Sequence, residues 1–270
     1  MKIKIALGQF NIFQGHLNEN FDSALKMIDQ AASLDCDILL LPELWSSGYD
    51  LEYHDLYTVK NDEINEILHQ LSTDNDMSIG GSLIELCGDK AYNTFSLHIA
   101  GSLKPVKYHK IHLIPLLEED TWLEKGNHPS IASSYWGKFG LSICYDLRFP
   151  ELFRFYTFSG VELILLVAEW PLERIDHWLT LIQARAIENQ VYIAAANGVG
   201  QSGKIMLGGR SCIIDPWGNY LALGKEDDEG LIVAEFDLDQ VKKIRSEFPV
   251  LKHIQMDVFN QISGGKSLTD

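Results

Sequence analysis

Short apolar runs and amphipathic stretches of helix length take turns along this chain, and hairpin-like segments interrupt them. Ile3, Ile5 and Leu7 alternate with other residues as in a half-buried strand. Phe21, Leu25, Ile28 and Ala32 recur at helical spacing, which predicts a helix over residues 18–34 with Asn18 as its N-cap. Asp37 to Leu41 reads as a short buried strand that Pro42 ends. A second amphipathic helix carries Val59, Ile64, Ile67, Leu68 and Leu71, and residues 77–100 read as an antiparallel hairpin turning at C-G-D-K.

The second half repeats the scheme. Residues 131–144 suggest two strands joined at Trp136, Gly137 and Lys138, and Pro150 opens a helix that Gly160 closes. Glu162 to Ala168 is a buried strand. Residues 171–189 form a helix with Ile175, Trp178, Leu179, Ile182 and Ala186 on one face, and Val191 to Ala196 is another buried strand. The Gly-rich run 198–209 reads as a loop, residues 215–219 as a turn, more strand follows, and Asp237 to Glu247 reads as a short helix. A frayed tail is expected from about residue 260.

Nothing in composition divides the chain, so residues 1–270 are read as one domain. Mixed hairpins and helix-separated strands favour an α/β sandwich with helices covering sheet faces over a parallel barrel. With 22 basic and 38 acidic residues the formal net charge is −16. That field repels phosphates and argues against a nucleic-acid partner, and a small anionic substrate would need a local cation to receive it. No run reaches the roughly 18 apolar residues of a membrane span, and the first residues lack a secretory cleavage pattern. Cys36, Cys87, Cys144 and Cys212 show no paired spacing. Free thiols in a reducing cytosol, hence a cytoplasmic protein, are the expectation.

The strongest chemical signal is G-L-S-I-C-Y-D-L-R-F-P-E-L, residues 140–152. An apolar strand ends in Cys144, polar residues follow, and a helix begins. Open α/β sheets place their ligands at such strand ends. A cysteine there is either a small buried hydrophobe or a nucleophile that needs a base or cation to hold it as thiolate. None of the nine histidines is placed tellingly. His177 beside Trp178 fits a packing role equally well, and His109 and His112 lack the spacing and third ligand of a zinc site, so no metal is expected. Glu43 in L-L-L-P-E-L-W directly follows a buried strand, and Lys110 in K-Y-H-K-I-H-L stands where an apolar strand breaks. Singly, each also fits a solvated loop; jointly they bring a carboxylate, an ammonium and a thiol to strand ends.

With these residues the chain resembles the nitrilase superfamily of carbon–nitrogen hydrolases, whose signature is a Glu-Lys-Cys triad in that chain order. Glu43 matches the family's L-P-E, Lys110 its K-x-H-L and Cys144 its C-Y-D-x-R-F-P-E. Glu119, in E-D-T-W-L-E-K-G-N, matches the second glutamate of many members. The stretch 168–197 is similar to the omega-amidase-like branch, which cleaves the terminal amide of 2-oxoglutaramate and related 2-oxo acids. The resemblance implies a four-layer α-β-β-α sandwich of two mixed sheets flanked by helices. It also implies a homodimer formed through the helices near 150–160 and 171–189, and a site without cofactor.

The expected reaction is hydrolysis of a primary amide through a thioester on Cys144. Glu43 is the expected base, Lys110 and the Tyr145 N–H the oxyanion donors, and Glu119 the partner that keeps Lys110 charged. Arg174 is the expected receiver of a substrate carboxylate. Arg148 is read as bracing its loop through Glu151 or another acid, or else as a second receiver. Tyr49, Trp122 and Trp170 line the pocket or simply pack in the core. A nitrilase or carbamoylase acting on another small substrate, or a ligand-binding protein without catalysis, is the competing expectation.

Overall fold

A computed structural model describes residues 2–255 and 258; the tail expected from about residue 260 lies outside them. The first half comprises β1 (Lys2–Gln9), α1 (Leu17–Ser33), β2 (Ile38–Leu40), α2 (His54–Asp74), β3 (Ser78–Cys87), β4 (Lys90–His98), β5 (Val106–His109) and α3 (Glu119–Trp122). The middle holds β6 (Ile131–Ser134), β7 (Gly137–Ile143), α4 (Pro150–Phe158), β8 (Leu163–Ala168), α5 (Ile175–Asn189) and β9 (Tyr192–Asn197). Last come β10 (Val199–Ser202), β11 (Ile205–Gly208), β12 (Cys212–Ile214), β13 (Tyr220–Leu223), β14 (Gly230–Asp237) and α6 (Asp239–Glu247).

Two six-stranded mixed sheets result, in the orders β14-β1-β2-β3-β4-β5 and β13-β12-β9-β8-β7-β6. Strand alternation decides what packs where. Ile3, Ile5 and Leu7 join Leu141, Ile143, Leu163, Leu165 and Tyr192 in one core between the sheets. Ala6, on the opposite face of β1, joins Ala24, Met27 and Ile28 of α1 and Ile64 and Leu68 of α2 in a second core. β2 reads as continuously apolar because it is buried on both faces: Ile38 and Leu40 enter the first core, Leu39 and Leu41 the second. Leu152, Phe153 and Tyr156 of α4 and Trp178, Ile182 and Ala186 of α5 cover the other sheet. These layers form the expected α-β-β-α sandwich.

Several local expectations are corrected. His16, not Asn18, occupies the N-cap of α1 and makes no side-chain cap bond. Asn20 instead secures the helix entry, its amide donating to Phe13 O and Ser46 O at 2.8 Å each. In α2 the buried stripe is Tyr57, Thr58, Asn61, Ile64, Leu68 and Ser72. Val59 and Ile67 fall outside that stripe and are 64% and 42% exposed. The Gly-rich run 198–209 contains an antiparallel ribbon, β10–β11, with Val199 paired to Gly208 and Ser202 to Ile205. Residues 172–174 form a separate 3₁₀ turn, so the helix expected from 171 begins at Ile175.

Candidate active site

β7 ends at Ile143, and Cys144 opens a tight 3₁₀ turn with φ +43°. A non-glycine residue in that left-handed region is strained by about 1–3 kcal/mol and persists only where its surroundings impose it. Here the constraint is Asp146, a buried carboxylate that accepts from the Ile143 N–H (3.0 Å) and the Tyr108 hydroxyl (2.7 Å). Its other oxygen takes the His112 N–H (3.1 Å) and faces His112 Nδ1 (2.8 Å). The His112 ring in turn stacks on Phe149, with centroids 3.6 Å apart. His112 thus braces the turn from outside. Among the described residues, no three His, Cys, Asp or Glu side chains are grouped to hold a metal ion.

Lys110 follows β5 and is fully buried, as are Glu43 and Glu119. Its Nζ donates to Glu43 Oε1 at 2.7 Å and to Glu119 Oε1 and Oε2 at 2.9 and 2.7 Å. Glu43 Oε1 also accepts from the Tyr49 hydroxyl and from Asn93 Nδ2, both at 2.8 Å, while Oε2 accepts the Glu169 N–H at 2.9 Å. Glu119 accepts from Asn93 Nδ2 (3.0 Å) and the Ile114 N–H (2.9 Å). Its sequence neighbour Glu118 is exposed. Leu44 after Glu43 and Glu118 before Glu119 both have positive φ, +42° and +56°, so left-handed residues flank or carry three of these four side chains.

The charges follow from this packing. Burial pushes the Glu43 carboxyl up, but Lys110 and the hydrogen bonds outweigh it and hold it below the ordinary range. Burial pushes Lys110 down, and the two carboxylates more than reverse that, so it is an ammonium. Burial and the Glu43 charge push the Glu119 carboxyl up against the pull of Lys110. The Cys144 side chain interacts directly with Glu43; burial first, then that negative charge, pushes its thiol well up despite Lys110. The sulfur is thus held toward its thiol form beside the Glu43 carboxylate, an arrangement in keeping with the expectation of Glu43 as its base.

Cys144, Tyr145, Arg148, Glu169, Trp170, Pro171 and Arg174 surround one cavity with Ile114 and Leu117. Its volume is about 20 Å³, room for a single water. Arg148 makes no ion pair among the described residues. Its guanidinium lies 4.8 Å from the centre of the Trp170 ring and 5.9 Å from that of Tyr145, so the expected brace through Glu151 is replaced by stacking on the cavity wall. Among the described residues Arg174 pairs only with Glu173 at 3.3 Å, whose side chain is 83% exposed, and its carbonyl accepts from Trp170 Nε1 at 2.7 Å. Trp122 stands apart: with Tyr49, Leu117 and Lys204 it lines a separate outer cavity of about 370 Å³. Tyr49 does more than line that wall, since its hydroxyl touches Glu43 and lies 3.2 Å from Lys110 Nζ.

Sequence reasoning missed Asn93, Asp146 and Glu169. Asn93 lies in a hairpin strand that also carries Thr94, Ser96 and His98, so it did not stand out, whereas Glu169 follows buried β8 directly, as Glu43 follows β2, and a polar side chain at the end of a buried strand is a signal.

The fold and this buried cluster define a hydrolase class, and the comparisons agree. The profile of the carbon–nitrogen hydrolase family matches residues 4–246, and the chain belongs to that family. It is an enzyme acting on carbon–nitrogen bonds outside peptides. Within the family it is omega-amidase-like. It is 37% identical over 263 residues to the 2-oxoglutaramate amidase of Bacillus subtilis, covering 96% of this chain and 100% of that protein. It is 32% identical over 270 residues to an omega-amidase of Xenopus laevis, covering 96% and 97%. Among solved structures, a branch 10 member of the nitrilase superfamily from Saccharomyces cerevisiae superposes with a TM-score of 0.84 at 27% identity, covering 94% and 96%.

Proposed function

We propose that this protein hydrolyses the primary amide of a small 2-oxo acid of the 2-oxoglutaramate type, giving the carboxylate and ammonia through a thioester on Cys144. The observation that carries the chemistry is one buried ammonium clamped by two carboxylates, one of which also faces a buried thiol. Glu43 takes the thiol proton as sulfur forms its bond to the amide carbon. The carbonyl electron pair moves to oxygen, where the Lys110 ammonium and the Tyr145 N–H receive the charge. On collapse the C–N bond breaks, nitrogen takes the proton from Glu43 and leaves as ammonia. Water then attacks the thioester while Glu43 takes its proton; the C–S bond breaks and the sulfur recovers that proton. Glu119 holds Lys110 in place and charged throughout.

The preference for a 2-oxo acid rests on the names of the relatives and on two guanidiniums. In a chain of net charge −16, Arg148 and Arg174 border the Cys144 cavity, and among the described residues neither has a buried carboxylate as ion-pair partner. Bound substrate far exceeds the cavity of about 20 Å³, so binding displaces its walls, with Leu117 between the inner and outer cavities the first candidate.

The test is ammonia release from 2-oxoglutaramate, 2-oxosuccinamate, glutamine, asparagine and simple nitriles side by side. The two 2-oxo amides should be turned over with the highest kcat/KM. Preference for glutamine would reject the 2-oxo assignment, and turnover of nitriles without amides would reject the amidase.

A further inference from the structure

Glu169 stands one residue beyond β8, at the same sheet end as Cys144. β7 and β8 are parallel neighbours with Ile143 opposite Val167, so both chains leave the sheet side by side. Its side chain is 1% exposed, yet neither carboxyl oxygen has a hydrogen-bond partner of ordinary geometry. The Ser202 hydroxyl of β10 is near enough to influence it. Its own N–H is committed to Glu43 Oε2 at 2.9 Å, which ties the residue to the proposed base. A buried polar group without partners demands an explanation, and this one borders the cavity where an amide must sit.

We propose that Glu169 is a specificity-determining residue that recognises the unsubstituted amide nitrogen of the substrate: its carbonyl oxygen accepts one N–H of the –NH₂ group while its hydroxyl turns to Ser202. The inference rests on the amidase reading above and deepens it. Burial, then the charge on Glu43, pushes the Glu169 carboxyl up toward its neutral form, in which it offers one acceptor and one donor rather than a second negative charge. At the other end of the amide, Lys110 and the Tyr145 N–H claim the oxygen. The nitrogen therefore lies toward Glu43 and Glu169. An N–H held by Glu169 turns the nitrogen lone pair of the tetrahedral intermediate toward the proton on Glu43, which is the alignment ammonia departure needs. An ester has no N–H to offer, and an N-alkyl amide brings a carbon into a dry, closed corner.

Glutamine has the shape of a carboxylic acid and the same donor–acceptor pair, whereas leucine keeps bulk and loses both. The experiment compares wild type, Glu169→Gln and Glu169→Leu on 2-oxoglutaramate, its N-methyl amide and the corresponding methyl ester, with thermal melts to confirm folding. The Leu variant should lose about 10- to 100-fold in kcat/KM on the primary amide, the cost of one unmade hydrogen bond, while ester turnover stays within a few-fold. The Gln variant should restore the amide-over-ester ratio and the bias against the N-methyl amide. Equal losses on amide and ester in a folded Leu variant would assign Glu169 a structural part with Ser202 and overturn the proposal. If Glu169→Leu fails to fold, a folded Gln variant that loses the amide-over-ester ratio overturns it equally. Wild-type protein that releases ammonia from no primary amide would instead remove the amidase reading on which the proposal stands.

Discussion

Lys110 meets Glu119 through both carboxyl oxygens, at 2.9 and 2.7 Å, while giving Glu43 a single contact at 2.7 Å. The asymmetry divides the two acids. Glu119 anchors the ammonium, and Glu43 keeps one oxygen, Oε2, clear of Lys110, where it accepts the Glu169 N–H. Glu43 is thus the acid with capacity left for a travelling proton.

Removing the cation at the centre leaves two buried carboxylates facing each other. Breaking a buried pair in this way costs about 3–5 kcal/mol, and loss of an oxyanion donor costs about 10²–10³ in rate. Lys110→Ala should therefore lower both kcat and the denaturation midpoint. A variant as stable as wild type in chemical denaturation would mean that the clamp is not what holds this corner together.

The positive φ of Cys144 separates strain from chemistry. Cys144→Ala, Cys144→Ser and Cys144→Gly should all lose turnover, since none carries a thiol. The Gly variant alone relieves the backbone, and should be more stable than the Ala variant by roughly 1 kcal/mol. An Ala variant that still turns over substrate would dispose of the thioester.

Arg148 and Arg174 can be told apart by substrate charge. Each Arg→Ala change should raise KM for 2-oxoglutaramate and leave KM for a neutral amide such as propionamide nearly unmoved. Arg174, whose one ion pair is with an exposed neighbour, should show the larger effect. Arg148 also stacks on Trp170, so its loss should lower kcat as well. Unchanged KM in both variants would place the substrate carboxylate elsewhere.

Phe155 and Phe158 of α4 are 46% and 53% exposed beside an apolar cavity of about 420 Å³ that also includes Pro150 and Arg154. Such a patch marks an interaction surface, and the dimer that the family resemblance implies leads us to propose a second copy of the chain as its occupant. Gel filtration should give a dimer that Phe155→Asp with Phe158→Asp shifts to monomer. A wild-type monomer at micromolar concentration would leave the patch unassigned.

Much of this was legible because burial is written in periodicity. Residues 37–41 read as a buried strand since both faces of β2 are covered, and the thiol, the ammonium and the Glu43 carboxylate were marked by standing where apolar strands stop, whereas Glu119 was marked only by the family resemblance. Convergence was not legible. Nothing in the spacing of Glu43, Lys110 and Glu119 says that one Nζ reaches both acids, because that depends on the lateral order β2-β3-β4-β5 within one sheet, and bringing Cys144 to them depends on the second sheet packing against it. The β10–β11 ribbon was hidden by its glycines, which serve its turn at Gly203 (φ +55°) as readily as they would serve a loop. Charge state was hidden as well: the same residue type is a lowered acid at Glu43 and a raised one at Glu169, and only the neighbours differ.

That last contrast has a measurable consequence for stability. Glu169 is held well above the ordinary glutamate value of 4.5 by burial and by Glu43. For an acid raised on folding, the favourable contribution is complete below the unfolded value and is lost as pH rises toward the folded one, because the unfolded chain then ionises freely and the folded chain does not. Glu169 should therefore weigh against the fold increasingly above pH 4.5. Glutamine never ionises, so Glu169→Gln should melt higher than wild type at pH 7 and the difference should shrink as pH falls toward 4.5. Differential scanning calorimetry across that interval reads the slope directly, whatever constant offset the substitution adds. A gap in melting temperature that does not change with pH would show that the Glu169 carboxyl ionises in the folded protein as it does in the unfolded chain.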